Sequence, residues 1–275
     1  MPKLSIITIN YNNFNGLQKT VESVLSQTSK EFEYIIVDGG STDGSKELIS
    51  QYAELNQSIK WVSEKDYGIY HAMNKGIGMA DGEYLQFLNS GDSLVSKDVT
   101  RNMLAVLKPE CNILYGNMLK SLPKGLYRDK SFNGKQPTFL DFYFGTLNHS
   151  PAYIRRTLFD KYGLFDENLK IVSDWKWYLN VIVLSKTNIN YTNIDVTLFD
   201  MTGISTLNNK LDKSERRSVL EEIIPERILM DYTQWGETII MFERIKKFPV
   251  IFSLLNFIDK GLAWIERRNN NNYLK

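Results

Sequence analysis

Short apolar runs alternate with amphipathic stretches through the first half of the chain. Lys3 to Ile9 (KLSIITI) is apolar and β-branched, as a strand buried on both faces would be. The following stretch sets Leu17, Val21, Val24 and Leu25 at helical spacing. Glu33 to Val37 predicts a second strand, then a turn GGSTDGS and a helix carrying Leu48, Ile49 and Tyr52. Ile59 to Val62 predicts a third strand, Ala72 to Ala80 a helix, and Glu83 to Leu88 a fourth strand. Strands alternating with helices imply an α/β fold: a doubly wound, mostly parallel sheet with flanking helices. Asn112 to Gly116 and Ile189 to Phe199 predict later strands, and Asp174 to Leu184 a helix. Residues 117 to 150 show no clear period and are expected to be loops and short elements. From about Asn208 the pattern is helical, ending in a run, Asn269 to Asn272, expected to fray. The predicted division is a domain over 1–207, with halves of about 1–116 and 117–207, followed by a helical extension over 208–275.

In a doubly wound sheet, ligands bind beyond the carboxyl ends of the strands. Polar residues gather at those ends: Asn10-Tyr11-Asn12, Asp38 to Asp43, Asp66, and Asn89 to Asp92. One such cluster is an ordinary turn, because turns favour these residue types. Four at one sheet edge point to a site.

Composition narrows the class without naming it. Apolar residues make up 43% and charged residues 24%, with a net charge of +1, so no nucleic-acid partner is expected. Cys111 is the only cysteine, which excludes an intrachain disulfide and a cysteine metal cluster. The N-terminus runs straight into a strand without a signal-peptide pattern. No window reaches the roughly 18 uninterrupted apolar residues of a spanning helix. The expected location is the cytoplasm, free or peripheral on the inner face of a membrane.

The runs SIITINYNN, IIVDGGSTDGS, SEKDYGIYHAMNKGIGMADGEYLQFLNSGD and SDWKWYL, in this order, resemble glycosyltransferase family 2, with its GT-A fold. The resemblance covers roughly residues 3 to 205 and implies an inverting transfer of a sugar from a nucleoside diphosphate, usually UDP, to a hydroxyl. It implies that Asn10, Tyr11, Asp38, Asp66, Lys75 and Ser90 bind the nucleotide, with Tyr11 against the base and Asp38 on its edge. Asp174 matches the catalytic base. It also suits helix capping, and the two roles are compatible. His149 lies in a region that lines the acceptor side, where contact with donor phosphate, with acceptor, or a purely structural role are all open. The stretch TGIST, with Gly203 and Ser205, resembles a loop near the diphosphate.

One motif departs from the pattern. Where the family carries an aspartate-rich run, this chain reads Asn89-Ser90-Gly91-Asp92. Asp92 and Asn89 remain as ligands for Mg²⁺ or Mn²⁺, both of which favour oxygen. The depletion leaves open a second reading, a non-catalytic nucleotide-sugar binder. A sugar-nucleotide pyrophosphorylase would want a basic, glycine-rich loop after the first strand, and NYNNFNG has no Lys or Arg. The expected partners are a nucleotide-sugar donor and a glycan or lipid-linked acceptor. From Phe242 to the end, seven basic residues stand against three acidic ones beside a broad apolar helix face. That face suits a membrane surface, packing on its own domain, or a second copy in a homo-oligomer.

Overall fold

A computed structural model describes residues 1–203 and 208–270. Ser205 and the last part of the expected frayed tail therefore lie outside the described residues. The strands are β1 (Leu4–Asn10), β2 (Phe32–Asp38), β3 (Ile59–Ser63), β4 (Tyr84–Phe87), β5 (Ser93–Leu94), β6 (Ile113–Leu122), β7 (Gly125–Asp129), β8 (Ala152–Arg155) and β9 (Ile189–Phe199). They form one sheet in the order β3-β2-β1-β4-β8-β6-β9-β5, with β7 paired to β6. The pairs β1–β2, β2–β3, β1–β4 and β6–β9 are parallel. The short strand β8 runs antiparallel between β4 and β6.

All seven residues of β1 are buried. Leu4, Ile6 and Ile7 are fully enclosed, each contributing about 1.5–3 kcal/mol on burial. Their polar neighbours are satisfied within the core. Ser5 Oγ donates to Glu33 Oε1 and Thr8 Oγ1 to the Leu88 carbonyl. Helices α1 (Phe14–Leu25), α2 (Ser45–Leu55) and α3 (Ile69–Met79) connect the first four strands. Asn13 caps α1 by accepting from the Gly16 amide.

Region 117–150 is more ordered than the pattern suggests. β6 runs on to Leu122 and turns back through β7 as an exposed hairpin. Helices α4 (Val99–Val106), α5 (Phe139–Phe144), α6 (Thr157–Tyr162) and α7 (Ser173–Tyr178) are all short. A wider π turn over Leu179–Leu184 follows α7. The last helices are α8 (Asn209–Ile223), α9 (Glu226–Ile245) and α10 (Pro249–Asn270).

The chain divides into two compact units, Met1–Val219 and Leu220–Lys275. The break falls inside α8 rather than before it, as the helical periodicity had implied. The reason lies in two α8 side chains. Glu215 accepts from the Lys170, Ile171 and Val172 amides. Arg216 stacks 4.6 Å from the Trp175 ring centre and donates to the Gly145 carbonyl. In the second unit, the Phe242 and Phe252 rings meet edge to face at 5.9 Å. No helix among the described residues is long and apolar enough to cross a membrane.

Candidate active site

A cleft of about 780 Å³ opens at the carboxyl ends of the strands in the first unit. Asn10, Tyr11 and Asp66 line one part of it. Asn89, Ser90 and Asp92 line another, with His149 and Asp174 also on its wall.

The first part is an open slot. Tyr11 is 65% exposed. A Cβ built on Gly39 would come within 2.4 Å of Asp66 Oδ2 and 3.1 Å of the Tyr11 ring. The missing side chain at Gly39 therefore lets the Asp66 carboxylate and the Tyr11 ring both close on the backbone at this point. The loop holding Tyr11 is fixed by Asn12, at φ +47°. Asn12 Oδ1 accepts from the Thr42 amide, and its own amide donates to Ser41 Oγ. Asn10 leaves a buried Oδ1 without a donor beside this slot.

Two expected contacts move away from the cleft. Asp38 is fully buried behind the wall rather than on it. Its Oδ1 accepts from Asn10 Nδ2 and Ser41 Oγ, its Oδ2 from the Ser41 amide and Ser63 Oγ. Burial alone would raise its pKa, but these donors outweigh it and hold the carboxyl below the usual range. Asp38 thus ties together the turns after β1, β2 and β3. Lys75 turns from the cleft to pair with Glu64 at 2.9 Å.

The turn between β4 and β5 explains the second part. β5 follows β4 closely in sequence yet sits at the far end of the sheet, against β9. The Asn89–Asp92 turn makes that crossing and brings Asp92 next to the end of β9. There the Asp200 amide donates to Asp92 Oδ1 at 2.8 Å. Gly91 is needed twice over: its φ is +105°, and a Cβ would lie 2.3 Å from Asp200 Oδ2. Asp92 is 3% exposed. Burial lifts its carboxyl to about 6, although the Asp200 amide and the His149 charge pull the other way. Asp92 Oδ2 and Asn89 Oδ1 are buried acceptors with no donor. Among the described residues no group of three or more His, Cys, Asp or Glu side chains forms a metal cage. Two open oxygens nonetheless fit a hard cation that takes its other ligands from a diphosphate. Asp200, also on the cleft wall, escaped sequence reading because nothing but its place after a strand marks it.

The third part is a partly buried hydrogen-bonded group. Asp174 Oδ2 lies 3.0 Å from His149 Nδ1, and Asp174 Oδ1 lies 2.9 Å from the Tyr70 hydroxyl. Burial would raise the Asp174 pKa. The His149 hydrogen bond and charge, with help from Tyr70 and the Trp175 amide, hold it below the usual range. Burial in turn would lower His149, but Asp174 and Asp92 outweigh it and raise its pKa. His149 Nε2 faces Asn89 Nδ2 at 3.4 Å. One imidazole thus connects the β4–β5 turn to Asp174. Tyr70 also reaches the Ile171 carbonyl, and its single proton serves one acceptor at a time. Tyr70 was not singled out from the sequence, where it is one aromatic on a helix.

The profile described as Glycosyl transferase family 2 matches residues 5–165. The chain belongs to glycosyltransferase family 2. Over 272 residues it is 24% identical to a PGL/p-HBAD biosynthesis glycosyltransferase of Mycobacterium bovis, covering 97% of this chain and 99% of that one. An uncharacterized glycosyltransferase of Mycobacterium tuberculosis is 31% identical over 213 residues, 74% of this chain and 78% of its own length. Solved structures of S. aureus TarS are similar in fold. One matches with a TM-score of 0.64 at 21% identity, covering 81% of this chain and 40% of that one. TarS 1–349 in complex with UDP-GlcNAc matches with a TM-score of 0.61 at 19% identity, covering 85% of this chain and 74% of that one. A mannosyltransferase from Pyrobaculum calidifontis, in complex with GDP-Man and Mn²⁺, matches at 0.59 with 18% identity, covering 72% and 56%. The family 2 chain described here has the GT-A fold and is a glycosyltransferase, so the reading as a non-catalytic binder falls away.

Proposed function

We propose that this family 2 enzyme moves a sugar from a UDP-sugar to a hydroxyl of a lipid-linked glycan, with inversion, during surface polysaccharide synthesis. In this reading the base lies in the slot between Tyr11 and Asp66, over Gly39. The diphosphate lies toward Asn89, Ser90 and Asp92. Asp174 takes the acceptor's hydroxyl proton as the new oxygen–carbon bond forms and the bond to the diphosphate breaks. Its lowered pKa keeps it ionised at neutral pH, so it accepts a proton only as the hydroxyl becomes acidic in the transition state. Asn89 and Asp92 would hold Mg²⁺ or Mn²⁺, which when bound neutralises charge on the departing diphosphate.

The observation that supports this best is His149. It lies against both the β4–β5 turn and Asp174, so the phosphate side and the base belong to one cleft. The enzyme would work in the cytoplasm, on the inner face of a membrane that presents its acceptor. Calorimetry with UDP and GDP tests the base, with UDP expected to bind more tightly by at least tenfold. Turnover of a UDP-sugar panel with Mn²⁺ and with EDTA tests the cation, and NMR of the product anomer tests inversion. A chain that binds GDP and not UDP, or a product with retained configuration, would refute the proposal.

A further inference from the structure

Helix α10 offers a surface that the transfer reaction does not use. The helix is 22 residues long, about 33 Å at 1.5 Å per residue. Phe252, Leu255 and Ala263 on one side are partly covered, and Phe252 packs on Phe242 of α9. The opposite side is apolar and in water: Val250 is 83% exposed, Phe257 77% and Trp264 61%, with Ile251, Leu254, Ile258, Leu262 and Ile265 also exposed. At 100° per residue these eight side chains span roughly 160° of the helix circumference. Basic residues stand at both ends, Lys247 before the helix and Arg267 and Arg268 in its last turn, with Lys260 between them; Arg268 lies over the Trp264 ring.

We propose that this face of α10 docks onto an anionic lipid surface. Two observations favour lipid over a second copy of the chain. A two-stranded seam through Ile251, Leu255, Ile258, Leu262 and Ile265 has the right spacing, but a seam is narrow. It would leave Val250, Leu254, Phe257 and Trp264 in water, whereas a bilayer surface covers the whole sector at once. The charge also matches. From Phe242 to Arg268 six basic side chains stand against Glu243, Asp259 and Glu266. Lys246 is paired with Glu243, which leaves cations at the two ends of the apolar face, where phosphate headgroups would meet them. The apolar sector with a Trp and flanking cations is the pattern of a helix lying in the interface plane rather than crossing it.

The test is sedimentation of the full chain with vesicles of phosphatidylcholine alone, and of phosphatidylcholine with phosphatidylglycerol. No donor or acceptor is present, so the result stands apart from the transferase reading. Binding to the anionic vesicles is expected, with a blue shift of tryptophan emission. Phe257→Asp with Trp264→Asp should weaken it by at least tenfold, as should Lys247→Glu with Arg267→Glu. Both pairs sit on exposed positions, and unchanged thermal unfolding would show that the fold is kept. Absence of binding, equal binding to both vesicle types, or binding unchanged in both variants would overturn the proposal. So would a dimer by light scattering that Phe257→Asp with Trp264→Asp dissolves, since the face would then belong to a second copy.

Discussion

Asp92 is held in a state that works against the fold, and replacing it by Asn should reveal this. Its carboxyl rises from 3.8 to about 6 because burial disfavours the charge. At 1.36 kcal/mol per pKa unit the shift corresponds to about 3 kcal/mol above pH 7. A group whose folded pKa is raised favours the folded state below its unfolded pKa and loses that advantage as pH climbs through the folded value. Asp92→Asn removes the ionisation and keeps an oxygen to accept from the Asp200 amide. The variant should therefore be more stable at pH 7.5 by about 1–3 kcal/mol, the lower figure allowing for the new amide hydrogens needing acceptors. In a unit of this size that raises Tm by roughly 3–9 °C. The gain should fall to about half at pH 5, where the native carboxyl is mostly protonated in the fold. Thermal unfolding in EDTA across pH 5–8 measures both effects, with EDTA preventing a bound cation from stabilising the parent. Turnover should drop in the same variant. A Tm that falls at pH 7.5, or a gain that does not shrink at pH 5, would refute the account of Asp92 as a strained acceptor.

Three other outcomes are expected. Asp174→Asn should lower kcat by about 10²–10⁴ while leaving UDP affinity within a few-fold, measured by steady-state kinetics and calorimetry. Gly91→Ala should destabilise the first unit by about 1–3 kcal/mol, because φ +105° and the nearby Asp200 carboxylate both oppose a Cβ; chemical denaturation would detect it. Glu215→Ala strips the carboxylate from three amides ahead of Asp174. It should cost about 1–3 kcal/mol and lower kcat more than it changes UDP binding.

The strands read from the sequence include β1, β2 and β4, enclosed along nearly their whole length, and also the half-buried β3 and β9. β1, β2 and β4 are mostly apolar because both faces are covered, with Ser5, Thr8, Glu33 and Gln86 as buried polar exceptions, and the apolar run itself is the signal. β5 has two residues, too few for any period; β8 offers only three buried residues, Ala152 to Ile154, before Arg155; and β7 is exposed along most of its length. The site was legible to the extent that sheet topology brings strand ends together. That rule does not say which way a side chain turns at a strand end. Asp38 and Asn10 are paired across β2 and β1, yet Asn10 reaches the cleft wall while Asp38 faces the turn hydroxyls behind it. The meeting of His149 with Asp174 and Tyr70 depends on segments 25 and 104 residues apart, and no local pattern encodes it.

The carboxylate of Glu215 has a practical corollary for anyone trimming this enzyme. A fragment stopped where helical periodicity begins, near 207, would keep every strand and every cleft motif named from the sequence. It would also sever the clasp that the Glu215 carboxylate places on the segment carrying Ile171 and Val172. The shortest fragment able to position its own base must run through Arg216, so the last ten or so residues of such a piece matter more than their lack of sequence motif suggests.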